Sequence, residues 1–127
     1  MKKILCLFLL VLGLAGCSNS VLSDDYDEAT LKSSAQKVVQ KLNADNYQEI
    51  VDLVQPDLQE EMSAEVIEQA WTSLEAKLGT FDSISTYMVS QKGEDAVVVV
   101  LAKYEKATLQ LTLSYNVDME LVGLYMK

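Results

Sequence analysis

Between Leu78 and Phe81 the apolar residues of this sequence stop recurring every three to four positions and begin recurring every second one. That change of period splits the chain into a helical first part and a stranded second part. Leu31, Ala35, Val38, Val39 and Leu42 stand at i, i+4, i+7, i+8 and i+11, a single helical stripe with lysines and glutamines opposite it. Asp45 is placed to cap a second, shorter helix in which Tyr47, Ile50, Val51 and Val54 share a face until Pro56 ends it near Gln55. Ser63 is positioned as N-cap of the longest helix, with Val66, Ile67, Ala70, Trp71, Leu74 and Leu78 on its inner face and Gly79 to terminate it.

Past Gly79, β-branched residues and tyrosines become dense, and the spacing predicts four strands. These are Phe81 to Ser90, Asp95 to Tyr104, Ala107 to Tyr115 and Met119 to Met126, with a turn at Gln91-Lys92-Gly93-Glu94 and short links elsewhere. Short links force antiparallel neighbours, so the sheet is a meander. Helices first and strands afterwards give an α+β fold in which N-terminal helices pack on one face of a four-stranded antiparallel sheet. Leu109, Leu111, Leu113 and Tyr115 alternate with Thr108, Gln110, Thr112 and Ser114, as expected where one face is wet. The run Val97-Val98-Val99-Val100-Leu101 breaks that alternation and predicts burial on both faces over at least part of its length: a central strand under a loop, a pocket wall or a dimer contact.

The N-terminus carries a different signal. Lys2 and Lys3 precede an apolar run, Ile4 to Leu12, and small residues lead into Leu14-Ala15-Gly16-Cys17. The run is shorter than the roughly 20 apolar residues of a membrane-spanning helix. This pattern resembles the lipobox of bacterial lipoproteins. The resemblance implies cleavage after Gly16, a diacylglyceryl thioether on Cys17, and retention on the extracytoplasmic face of the cell membrane. Two acyl chains, at about 0.8 kcal/mol per buried CH₂, hold firmly where one holds marginally. Residues 17–28 then form a lipidated, acidic tether and residues 29–127 a single domain. Stretched out, the ten residues Ser18 to Asp27 reach at most about 35 Å.

Composition narrows the chemistry. Without Lys2 and Lys3, 8 lysines face 19 carboxylates, a net charge of −11 that repels nucleic acid and anionic lipid. Cys6 falls in the signal segment and Cys17 carries lipid, which leaves no thiol for a disulfide. Histidine and arginine are both absent, so catalytic triads, imidazole acid–base chemistry and guanidinium clamps are excluded. No glycine-rich phosphate loop or metal-ligand spacing occurs, and no cofactor or metal is expected. Glu61, Glu65, Glu68 and Glu75 read as a solvated helix face, and Asp24, Asp25, Asp27 and Glu28 as charges that keep the tether extended. Trp71, Tyr104 and Tyr115 are the candidate ligand-binding residues, since each is in phase with apolar neighbours and carries a hydrogen that needs a partner.

The segments Asn43-Ala44-Asp45-Asn46-Tyr47, Met62-Ser63-Ala64-Glu65 and Leu78-Gly79-Thr80-Phe81, with Trp71 and the ending Asp118 to Tyr125, resemble an uncharacterised domain family of Gram-positive lipoproteins. The resemblance runs from about Lys32 to Lys127. It implies a cone-shaped fold like that of the nuclear transport factor two superfamily, with a curved sheet wrapped around helices, and it brings no activity. The last turn, Asn116-Val117-Asp118-Met119, lacks the glycine usual in the family. Cone-shaped relatives include lyases and isomerases that set a carboxylate beside tyrosines. Asp82 is the one strand-one carboxylate available here, and its phase does not converge on the tyrosines. Three functions follow: an accessory domain without catalysis that binds an envelope protein or a small apolar ligand, a small lyase or isomerase, or a self-associating structural lipoprotein.

Overall fold

In the computed structural model, residues 22–127 are described, so the expected signal segment and Cys17 lie outside the described residues. Helix α1 spans Glu28–Asn43, and its stripe Leu31, Ala35, Val38, Val39 and Leu42 is buried throughout. It starts where it does because Asp27 is its N-cap. The Asp27 carboxylate accepts from the Thr30 N–H at 3.0 Å and from the Thr30 hydroxyl at 2.6 Å. Those bonds lower its pKa. The expected tether through residue 28 is therefore folded at its C-terminal end. Tyr26 is buried, its hydroxyl donates to the Glu94 carbonyl at 2.6 Å with the Tyr115 carbonyl at 3.1 Å, and the Ser23 N–H donates to Gln91 Oε1 at 2.7 Å. The sequence reading missed this because one aromatic among aspartates leaves no periodicity to detect.

Asp45 does not cap the second helix. It takes a left-handed φ of 60° just after α1, a conformation that aspartate adopts more readily than most residues, and Asn46 stands at the N-cap of α2, Tyr47–Val51. A 3₁₀ turn, Pro56–Leu58, follows. Helix α3, Ala64–Leu78, begins at Ser63, whose hydroxyl accepts from the Val66 N–H at 3.3 Å, and ends at Gly79 with φ 80°.

The sheet has the order β1-β2-β3-β4, antiparallel throughout, with β1 Phe81–Lys92, β2 Asp95–Tyr104, β3 Thr108–Tyr115 and β4 Leu121–Met126. Strand β1 runs two residues further than expected, because Lys92 pairs with Asp95 and leaves Gly93-Glu94 as the whole hairpin loop. Gly93 supplies the positive φ that such a loop demands. Strand β4 starts at Leu121 rather than Met119, since Asn116 to Glu120 form a turn. In that turn the Asn116 side-chain oxygen accepts from the Asp118 and Glu120 N–H groups at 3.0 and 2.9 Å, and Met119 takes the left-handed φ of 64° that a glycine would supply. Local bonding thus substitutes for the missing glycine.

The inner sheet face holds Ala96, Val98, Val100, Ala102 and Tyr104 from β2 and Leu109, Leu111, Leu113 and Tyr115 from β3, all buried against the helices. Burial on both faces, expected for the valine run, does not occur: Val97, Val99 and Leu101 alternate outward and are half-buried among side chains of the open face. Register shifts in β1 at Phe81/Ser83 and Ile84/Thr86, and in β4 at Val122, opposite Ser114 and Tyr115, mark bulges that bend those strands.

Candidate functional site

Trp71 and Tyr115 are fully buried and Tyr104 nearly so. Trp71 and Tyr104 lie together, ring centroids 6.1 Å apart at 59°. The Tyr104 hydroxyl donates to Asn43 Oδ1 at 2.6 Å, and the Tyr115 hydroxyl shares a 2.9 Å hydrogen bond with Ser34 Oγ. Partners within the protein thus take both phenols. Burial pushes the Tyr104 pKa up to about 12 and raises that of Tyr115. The Trp71 indole N–H is the one buried side-chain polar group without a partner among the described residues. None of the three aromatics lines either of the surface cavities described next.

Those cavities flank the two edges of the sheet. At the β4 edge, the Leu121 N–H donates to the Leu53 carbonyl at 2.8 Å, and the Leu121 carbonyl accepts from the Gln55 N–H at 2.9 Å. This short parallel bridge covers the start of β4, and among the described residues no other strand lies beside it on that side. Helix α3 lies across the remainder and leaves a groove of about 280 Å³. Met62, Val66, Ile67, Ala70 and Leu74 form one wall, and Leu124, Tyr125 and Met126 the other. Six apolar residues of α3, Val66, Ile67, Ala70, Trp71, Leu74 and Leu78, were expected to face inward. The structure buries Ile67, Trp71 and Leu78 and half-buries Leu74, whereas Ala70 is exposed and Val66 is 48% exposed. The stripe is wider than the surface the sheet offers it, and its surplus is the groove.

The groove has no charged or catalytic side chain. It can desolvate an apolar group, and its two methionines can reshape around one. Strand-edge exposure and apolar lining together suit a strand-like or flat apolar occupant.

At the opposite edge, α1 and β1 enclose a cleft of about 310 Å³ lined by Gln36, Val39 and Gln40 from the helix and Phe81, Ser83, Ile84 and Tyr87 from the strand. Burial raises the Tyr87 pKa.

The carboxylates do not assemble into a site. Asp82 is exposed and accepts from its neighbour Ser83 at 3.0 Å. Glu61, Glu65, Glu68 and Glu75 are exposed, and no metal-binding cluster occurs among the described residues. Asp45 does accept from the Tyr47 hydroxyl at 3.0 Å, but on the surface and outside both cavities. Burial, and after it that bond, push the Tyr47 pKa up to about 12.

Residues 35–124 match a family described as "Protein of unknown function (DUF3887)". The chain belongs to this family. The matched stretch runs from within α1 into β4, so it takes in residues of both cavities. No curated protein matches the chain. Among solved structures, the NMR structure of a protein from Ruminococcus gnavus is similar, at 25% identity and a TM-score of 0.65, covering 83% of this chain and 95% of that one.

Proposed function

We propose that this member of the family is a non-catalytic binding domain, anchored through a diacylglyceryl group on Cys17 to the extracytoplasmic face of the cell membrane. Its groove between α3 and β4 takes an apolar segment of an envelope protein or a small apolar ligand. The observation that carries this reading is the groove itself: an apolar surplus on α3 beside the free edge of β4, which folding alone does not require. Among the described residues, three α-helices ahead of a bulged four-stranded meander also support a cone-shaped fold of the nuclear transport factor two type.

Leu22 stands five residues beyond Cys17, a length of chain that reaches at most about 18 Å from the anchor point. Since Ser23 and Tyr26 are bonded to Gln91 and Glu94, the β1–β2 hairpin end of the sheet is the end nearest the bilayer.

The experiment is metabolic labelling with palmitate, followed by photocrosslinking from position 125 in cells. Label on the wild type and none on Cys17→Ser, with a crosslink to an envelope component that disappears in Val66→Lys, is the expected result. An unlabelled protein, or crosslinks indifferent to Val66→Lys, contradicts the reading.

A second reading, self-association, has one observation in its favour. Met88, Val99, Thr112 and Tyr125 form a row across the open sheet face, with Met88 49% and Tyr125 61% exposed. Light scattering that finds a dimer in the wild type and a monomer in Val99→Lys would favour it.

A further inference from the structure

The cleft at the β1 edge differs in kind from the groove. Gln36 and Gln40 stand one helical turn apart on α1, both exposed, and neither side chain has a hydrogen-bond partner among the described residues. The Tyr87 hydroxyl on the facing strand likewise makes no bond among them. Phe81 is 38% exposed at the mouth, and its ring is held by an edge contact with Tyr104 at 5.3 Å. Tyr104 is fixed in turn by its bond to Asn43. An aromatic face is thus presented on a backing that is already in place, with Val39 forming apolar floor.

Two carboxamides and a phenol offer both donors and acceptors, and among the described residues no carboxylate or lysine lines the cleft, the Lys32 ammonium acting on the Tyr87 phenol from outside it. A ligand that satisfies this set is neutral, has an apolar face to lie on Phe81, and carries several hydroxyls within reach of Gln36, Gln40 and Tyr87. We infer that the α1–β1 cleft is a carbohydrate-binding site that takes one neutral pyranose unit of a glycan. Its volume, about 310 Å³, lies at the small end of the range of about 300–1,000 Å³ for ligand pockets, which suits a single ring with its substituents. A nucleoside could stack on the same ring, but a nucleotide's phosphates would meet a strongly acidic chain. This inference stands independently of the apolar groove and of the anchor.

The test is a titration of the full chain, in a zwitterionic detergent without a sugar headgroup, with N,N′-diacetylchitobiose and with cellobiose. NMR follows the side-chain amides of Gln36 and Gln40. Saturable shifts of both amides with at least one disaccharide are expected. Gln36→Met and Gln40→Met keep the side-chain length and the helix; each is expected to weaken binding about three- to tenfold, the effect of losing one neutral hydrogen bond, at an unchanged melting temperature. Val66→Lys, in the other cavity, is expected to leave the sugar affinity unchanged. The inference is overturned if neither disaccharide saturates, if the shifts map to the α3–β4 groove, if the methionine variants bind like the wild type, or if adenosine saturates the cleft where the sugars do not.

Discussion

The two edges of the sheet meet the same geometrical problem in opposite ways. At both, a helix spans a sheet wider than itself and leaves the outermost inner-face residues partly uncovered: Leu124 and Met126 beneath α3, Ile84 and Tyr87 beneath α1. On the α1 side the helix meets that gap with glutamines, which water satisfies. On the α3 side it meets it with Val66, Ala70 and Leu74, which water does not. The polar cleft is compatible with a stable domain whatever its use, whereas the apolar groove retains a hydrophobic penalty that solubility alone would remove. An uncovered apolar stripe therefore points to binding more strongly than a polar one of the same size.

The largest expected effect lies between the edges. Trp71 sits on α3 and touches Tyr104, which backs Phe81, so Trp71→Ala weakens the support of both cavities and is expected to cost about 3–5 kcal/mol by denaturant unfolding. Trp71→Phe should cost clearly less, because the indole N–H it removes has no partner among the described residues. Equal losses would mean that the N–H is satisfied in solution. Next comes Gly79, which joins α3 to β1 at φ 80° and ψ −150°, a region nearly confined to glycine. A Cβ there would stand 2.8 Å from Glu105 Oε1 and 3.1 Å from Glu105 Cβ, and Gly79→Ala is expected to cost about 1–3 kcal/mol.

Tyr104 gives a smaller effect, confined to the α1–β1 side. Tyr104→Phe leaves Asn43 without its donor and should cost about 1 kcal/mol. The folded pKa of Tyr104, about 12, exceeds the ordinary value of 10.0, so the folded state holds this proton more tightly than the unfolded one. Its contribution is complete below pH 10.0 and declines as the pH rises through about 12. Alkaline unfolding curves of wild type and Tyr104→Phe should differ in that window, and superimposable curves would contradict the burial argument. The smallest effect is the one that separates the groove from the core. Val66→Lys should change stability by less than about 0.5 kcal/mol, whereas Ile67→Ala, one residue along, should cost about 2–5 kcal/mol.

Much of the fold was legible because it depends on local pattern. The α1 stripe, the Ser63 cap, the Gly79 stop and the β3 alternation all appear as read from spacing. The valine run misled because β-branched residues suit the exposed face of a strand as well as its core, so Val97 and Val99 signal strand rather than depth. The aromatic trio was placed inward by phase, yet its hydrogen-bond partners Asn43 and Ser34 lie 61 and 81 residues away, a distance at which spacing carries no information. The groove was hidden for a related reason. A stripe of six apolar residues on α3 shows that the helix has an apolar face, but how much of it the sheet covers is set by where β4 ends the sheet.

The most direct test of the groove is a fluorescence titration of the full chain with the neutral apolar probe N-phenyl-1-naphthylamine. A saturable rise in emission from the natively folded protein, lost in Val66→Lys and retained in Gln40→Met, is the predicted result. No saturable rise, or one that Val66→Lys leaves intact, would contradict it.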